Sequence, residues 1–191
     1  MSLTPAFEIG LWNAWIFTLY YVALGPILMS LINKEASKKL KESPQLSDTE
    51  RKLGNFGTVI WLGGLIYSIF VPLQLGRTWF YVGLPICSTA LIMSTIILVN
   101  IINTPPDEPF TKGLYRYSRH PIYLSQFLLF LGIGVACASW IFLLFATLLI
   151  SIQRILVVSE EWGCLEKYGD AYREYAIKTP RWLGRPKSEK W

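Results

Sequence analysis

Five runs of apolar residues constrain this chain more than any other feature of its sequence. They cover residues 11–32, 56–75, 79–102, 122–138 and 140–158, and Arg154 in the last run is the only Asp, Glu, Lys or Arg within them. A helix that spans a bilayer needs about 20 such residues, with a range of about 17–25. The sequence therefore predicts an all-α integral membrane protein with five transmembrane helices and a cytoplasmic C-terminal helical cap.

The basic residues predict the orientation of these runs. Sixteen of the 18 Lys and Arg residues lie in the segments after runs one, three and five, whereas only Arg77 lies in a segment on the opposite side. Because cytoplasmic loops carry an excess of Lys and Arg, we expect the N-terminus outside and the C-terminus and active site on the cytoplasmic side. These loops also explain the net charge of +5, so we expect no nucleic-acid partner.

The polar segment 111–123, between runs three and four, concentrates the chemically active side chains. It holds the only histidine of the chain, two arginines and three tyrosines. Proline disfavours the α conformation in the residue before it and is tolerated in a first helical turn, so a helix begins at Pro121 or Ile122. Arg119, His120 and Tyr123 then lie at a helix start that suits a carboxylate or phosphate. The alternative is a basic cluster resting on lipid headgroups.

Runs four and five are separated by almost no sequence, which predicts an antiparallel hairpin with a tight outer turn. The small pairs Gly132/Ala136 and Gly134/Ala138, each four residues apart, let helix backbones approach closely in lipid. The hairpin returns residues 159–175 to the cytoplasmic side beside His120. There a Glu and Tyr stripe recurs on one helix face: Glu161, Leu165, Tyr168, Tyr172 and Tyr175. The alternative is a surface helix anchored by Trp162 and Trp182.

The chain divides into two parts. Residues 1–110 are predicted to form a three-helix transmembrane part with a basic cytoplasmic loop at 33–55. Residues 111–191 are predicted to form a catalytic core, which consists of the hairpin and a C-terminal cytoplasmic helix. With one histidine and three cysteines that form no CxxC pair, we expect no metal site.

Two groups of residues carry a resemblance to a known family: Gly113-Leu-Tyr115 with Arg119-His-Pro-Ile-Tyr123, and Glu160-Glu161 followed by Leu165, Tyr168-Gly-Asp-Ala-Tyr172, Tyr175 and Pro180-Arg181. This pattern resembles the isoprenylcysteine carboxyl methyltransferases, which belong with the phospholipid N-methyltransferases among small integral-membrane methyltransferases. Membrane sterol reductases have a similar C-terminal pattern. Leu114 and Ser125 depart from the proline and glycine that are common at these positions.

The resemblance implies an S-adenosylmethionine site that is built from both segments and open to the cytoplasm. The cofactor-binding candidates are Tyr115, His120, Pro121, Tyr123, Glu160, Tyr172 and Tyr175. The carboxylate of the cofactor suits His120 and Tyr123, and its ammonium and sulfonium suit a glutamate and tyrosine faces.

Three further residues are catalytic candidates. Arg119 can hold a substrate anion or pair with a glutamate, and Glu161 can serve as base for an amine or thiol acceptor. Arg154 is a charge within an apolar run, which marks a functional candidate, although its side chain can also snorkel to the headgroups.

The leading hypothesis is an S-adenosylmethionine-dependent methyltransferase that acts on a lipophilic carboxylate, amine or thiol at the cytoplasmic face. Its partners are then a lipophilic small molecule and membrane lipids. The alternatives are a nicotinamide-dependent reductase of a sterol-like lipid and a non-catalytic lipid-binding membrane protein.

Overall fold

The computed structural model describes residues 7–32, 46–105 and 107–186, and its regular structure in these ranges is helical. Within the described ranges there are six α-helices: α1 (Trp15–Leu31), α2 (Asp48–Ser68), α3 (Thr78–Ile102), α4 (Pro121–Ala136), α5 (Trp140–Tyr168) and α6 (Asp170–Lys178). A 3₁₀ turn, Gly113–Arg116, lies between α3 and α4. Across the same ranges, extended pairing is limited to one bridge between Asn13 and Pro72. The prediction of an all-α protein is confirmed for this part of the chain.

Two helices, α3 and α5, are long and apolar enough to cross a membrane, whereas α1 and α4 are apolar but shorter. Only 28% of the most apolar part of α3 and 33% of that of α5 are buried. Most of their apolar side chains are therefore at least partly exposed, which is unusual for the core helices of a soluble protein.

The second helix differs from the apolar run that predicts it. α2 begins at Asp48 because Ser47 and Glu50 form a capping box, in which Glu50 N donates to Ser47 Oγ (3.3 Å) and Ser47 N donates to the Glu50 carboxylate (2.8 Å). The predicted loop 33–55 is thus already helical from Asp48, and its residues 33–45 lie outside the described ranges. α2 ends at Ser68, well before the predicted end of the run at residue 75.

The residues after α2 pair with the segment that precedes α1. Ala14 N donates to Val71 O (3.0 Å), and Leu73 N donates to Trp12 O (2.9 Å). These backbone hydrogen bonds explain why the apolar sequence stops being helical, since its polar groups find partners in another segment.

α4 is the central helix, and it packs on both α3 and α5. Leu129, Phe130 and Ile133 are fully buried. A Cβ atom on Gly132 would lie 2.8 Å from the backbone N of Cys87 in α3, and one on Gly134 would lie 3.1 Å from the backbone N of Leu143 in α5. The small residues therefore permit close approach to two different helices, not only within the hairpin.

The hairpin between α4 and α5 is present, and its turn is as short as the sequence predicts. Cys137, Ala138 and Ser139 connect the two helices, and Ser139 N donates to Gly134 O (2.8 Å). Ala138 has a positive φ of 51°, a conformation that non-glycine residues adopt only in tight turns.

The packing of α4 on α3 gives a test with a matched control. Gly132→Ala should destabilise the protein by about 1–3 kcal/mol, because its Cβ overpacks the contact with Cys87. Gly63→Ala in α2, where a Cβ meets nothing within 4 Å, should be neutral or stabilising by up to about 1 kcal/mol. Thermal unfolding of both variants in detergent measures the difference. Equal midpoints would show that the close approach of α3 and α4 is wrong.

Candidate active site

The loop before α4 orients the first group of candidate residues. Pro121 is the first residue of α4 and is fully buried. Ser118 Oγ accepts a hydrogen bond from the backbone N of His120 (3.1 Å). The backbone is thereby fixed immediately before the helix, and the side chains of Arg119 and His120 are directed towards α5.

A buried carboxylate, Glu161 of α5, lies at the centre of the site. Arg181 donates to it through two nitrogens, from Nε to Oε1 (3.0 Å) and from Nη2 to Oε2 (2.6 Å). Arg119 Nη1 lies 3.1 Å from Oε2, and His120 Nε2 lies 3.1 Å from Oε1. Three basic groups from two separate segments thus surround one carboxylate, and we call these four residues the Glu161 cluster.

His120 lies between two glutamates. Its Nδ1 is 3.5 Å from Glu160 Oε2, while its Nε2 faces Glu161. A neutral imidazole donates from only one nitrogen, so the pairing of both nitrogens with carboxylates favours the protonated form. Burial of His120 disfavours its charged form and by itself lowers its pKa. The hydrogen bonds and charges of the two glutamates outweigh the effect of burial, so the pKa of His120 is raised above the ordinary value. The Tyr123 hydroxyl donates to Glu160 and completes the network.

Residues 179–184, which we call the C-terminal strap, bring Arg181 to the site. Arg119 N donates to Pro180 O (3.1 Å), and Gly184 N donates to Tyr117 O (3.0 Å). The strap therefore lies along the loop that precedes α4. These backbone bonds fix the position of Arg181 independently of its contact with Glu161.

α6 is held against the ends of α3 and the 3₁₀ turn by aromatic packing. Tyr115, Tyr172 and Tyr175 are buried together with Ile97 and Ile101 of α3, and the Tyr175 hydroxyl donates to Tyr115 O (2.7 Å). Burial raises the pKa of all three phenols, so they remain neutral hydrogen-bonding groups.

A cavity of about 350 Å³ opens beside the Glu161 cluster, within the size range of small-molecule sites, about 300–1,000 Å³. Its lining includes the polar or charged residues Arg119, Glu161, Tyr172 and Arg181 and the apolar residues Val158, Leu165 and Ile177. Arg119 Nε is buried and has no hydrogen-bond partner among the described residues. An anionic ligand group would satisfy this donor, while the apolar side chains would suit a flat or aliphatic part of the same ligand.

The structure places the predicted residues in three environments: a hydrogen-bonded network, the lining of the cavity, and positions away from the cavity. Arg119, His120, Tyr123, Glu160 and Glu161 form one hydrogen-bonded network. Arg119, Glu161 and Tyr172 line the cavity.

The other predicted residues lie away from the cavity. Tyr115 and Tyr175 pack behind it, and Pro121 is buried at the helix start. Arg154 is exposed, and its guanidinium carbon lies 5.8 Å from the centroid of the Trp182 ring. In the described ranges, no group of three His, Cys, Asp or Glu side chains could hold a metal ion.

Sequence reasoning did not assign Arg181 or Trp182 to the site. Arg181 makes the shortest contact with Glu161, and the Trp182 ring centroid lies 6.2 Å from that of His120. The available signal was the Pro180-Arg181 pair, an arginine directly after a proline and outside any predicted helix. Its partner depends on where the strap folds, which no local pattern indicates.

Comparison with known proteins indicates the family of this chain. A curated relative, the protein-S-isoprenylcysteine O-methyltransferase of Schizosaccharomyces pombe, is 26% identical over 124 residues, which are 63% of this chain and 52% of the relative. The chain thus spans about half the length of that relative. The sequence model of the phospholipid methyltransferase family matches residues 55–171, a range that includes α3, α4 and α5. Because this match covers more than half of the chain, the protein belongs to the phospholipid methyltransferase family, within the wider group of membrane methyltransferases.

Proposed function

We propose that this protein is an S-adenosylmethionine-dependent methyltransferase that acts on a lipophilic acceptor at the cytoplasmic face of a membrane. The observation that carries the proposal is the Glu161 cluster beside the 350 Å³ cavity. Family membership supports methyl transfer as the reaction.

The lining of the cavity fits the cofactor. The free Arg119 Nε and the partly exposed Arg181 offer donors for the carboxylate of its methionine part. The Tyr172 ring can face a sulfonium, and Leu165 and Ile177 can pack against the nucleoside. When bound, S-adenosylmethionine supplies an electrophilic methyl group; the protein aligns the acceptor and excludes water, and such alignment can contribute about 7–11 kcal/mol.

The contacts of Glu161 favour a positioning role over that of a base. Both of its oxygens already accept from Arg119, His120 or Arg181. Glu160 is more accessible, with 33% of its side chain exposed, and it contacts only His120 and Tyr123 in this network. For an amine or thiol acceptor, the Glu160 carboxylate is thus the less occupied of the two and the more available to take a proton, whereas a carboxylate acceptor needs no base.

We further propose the five-span topology, with the N-terminus outside, and the division into a three-helix part (1–110) and a catalytic core (111–191). The basic residues around the cavity, Arg119, Arg173 and Arg181, support this orientation, because Lys and Arg are enriched on the cytoplasmic side of membrane proteins. The outward-facing apolar side chains of α3 and α5 support their contact with lipid.

The acceptor is proposed to carry a long hydrocarbon chain. The family is named for phospholipids and the S. pombe relative for an isoprenylcysteine, and both are amphiphiles. The site lies at the end of two apolar helices, so an acceptor could reach it from the membrane while the cofactor arrives from water.

The cofactor assignment can be tested with a matched pair of variants. Glu161→Gln should weaken the binding of S-adenosylhomocysteine about 10- to 100-fold. Arg119 and Arg181, which are proposed to hold the carboxylate of the cofactor, lose the charged partner that orients them, and the loss of a hydrogen bond to a charged group costs about 1.5–3 kcal/mol. Glu166→Gln, the same change at an exposed position of α5, should bind as the wild type does. Isothermal titration in detergent measures both. Two outcomes would contradict the proposal. One is wild-type affinity for S-adenosylhomocysteine in a folded Glu161→Gln protein, and the other is that the wild-type protein binds NADPH and not S-adenosylhomocysteine.

The acceptor assignment can be tested by comparing acceptors with and without a tail. Phosphatidylethanolamine should be methylated with at least 100-fold higher kcat/KM than glycerophosphoethanolamine. The same ratio of kcat/KM is expected between S-farnesylcysteine and S-methylcysteine. Each buried CH₂ contributes about 0.8 kcal/mol, and the difference should lie mainly in KM. Initial rates in detergent give the ratio for each pair. If both members of each pair react equally well, the acceptor is water-borne.

The topology can be tested by cysteine labelling. In a Cys164→Ser background, where the remaining Cys87 and Cys137 are buried, Leu75→Cys should react with an impermeant maleimide added to intact cells. Asp107→Cys, which is exposed between α3 and α4, should react only after permeabilisation. The opposite pattern would reverse the proposed orientation.

A further inference from the structure

Arg154 is a cation on an otherwise apolar surface. It lies on α5 two turns before Glu161, a separation of about 10 Å along a helix that rises about 1.5 Å per residue. Between Arg154 and the cytoplasmic end of α5, Ile155, Val158 and Trp162 are 55%, 42% and 67% exposed. The helix thus keeps an apolar outer face beyond Arg154, so this charge lies within the apolar zone. A charge in an apolar zone is costly and marks a functional candidate.

No carboxylate among the described residues forms a salt bridge with Arg154. Its contact is with the Trp182 ring, 5.8 Å from the guanidinium carbon. A cation–π contact of this kind engages a guanidinium without using its N–H donors in hydrogen bonds. The donors of Arg154 are therefore available for a phosphate or carboxylate, groups that match the planar guanidinium in a bidentate contact.

Trp182 connects this surface to the Glu161 cluster. It follows Arg181 in the C-terminal strap, whose backbone is bonded to the loop before α4 through Pro180 and Gly184. Its ring contacts Arg154 on α5, and its centroid lies 6.2 Å from that of His120. One side chain thus adjoins both the network of candidate catalytic residues and the cation on the apolar face.

We infer that Arg154 and Trp182 form an anion-binding subsite on the membrane side of the Glu161 cluster, which holds the phosphate or carboxylate of a membrane amphiphile. The exposed Ile155 and Val158 provide an apolar surface for its hydrocarbon chain. In the apolar zone the attraction between the anion and Arg154 is less screened than at the cytoplasmic arginines. The inference rests on the proposed function only where it takes this amphiphile to be the methyl acceptor.

Binding can be measured without cofactor or turnover, so its outcome is separate from that of the proposed function. The full-length protein is placed in phosphatidylcholine nanodiscs and titrated with a photoactivatable phosphatidic acid, and the crosslinking yield at residues 154–158 and 182 is measured. Arg154→Gln should raise the half-saturating probe fraction about tenfold, and Trp182→Leu should raise it about threefold. Arg154→Lys should restore part of the loss. Arg51→Gln, the same charge change at an exposed residue of α2, should have no effect.

Two comparisons identify the source of the anion. Unlabelled phosphatidic acid should displace the probe, whereas glycerol phosphate at the same concentration should not; displacement by glycerol phosphate would overturn the assignment to an amphiphile.

With phosphatidylethanolamine or S-farnesylcysteine as acceptor, Arg154→Gln should raise KM about tenfold and leave kcat within twofold. An unchanged KM would overturn the assignment to the acceptor, and unchanged probe binding in Arg154→Gln would overturn the subsite itself.

Discussion

The site depends on one interaction, the pairing of the buried Glu161 carboxylate with three basic groups. A carboxylate that is 8% exposed is strongly unfavourable unless cations and hydrogen-bond donors surround it. Arg119 and His120 come from the loop before α4, and Arg181 comes from the C-terminal strap. The need to compensate this one charge therefore links three separate segments of the chain beside the cavity.

The cluster can form only because the helices beneath it are held at close distance. Gly132 brings α4 against α3, and Gly134 brings it against α5. α4 carries His120 at its start, and α5 carries Glu161 near its end, so the packing of the hairpin determines whether these side chains meet. The aromatic contacts of Tyr115, Tyr172 and Tyr175 then hold α6 in position, and the strap follows from α6.

Local sequence signals account for much of this fold. Apolar runs predicted α1, α3, α4, α5 and most of α2, Pro121 predicted the start of α4, and the short turn predicted the hairpin that brings Glu161 to His120. The start of α2 was missed although its signal, Ser47 followed three residues later by Glu50, is local. Other features depend on tertiary structure and have no local signal, among them the contact of Arg181 with Glu161, the placement of His120 between two glutamates, and the contact of Gly132 with α3 instead of α5.

Because the strap is the last part of the site in the chain, it also determines when the site is completed during biosynthesis. Arg181 follows every other member of the Glu161 cluster in the chain, so it is the last of the four residues to leave the ribosome and reach the site. Until then Glu161 has only Arg119 and His120 as partners, and the wall of the cavity that Arg181 provides is missing. The nascent chain can thus enter the membrane and pack its hairpin before a complete ligand site exists. Maturation of the site becomes a separate, late step in biogenesis.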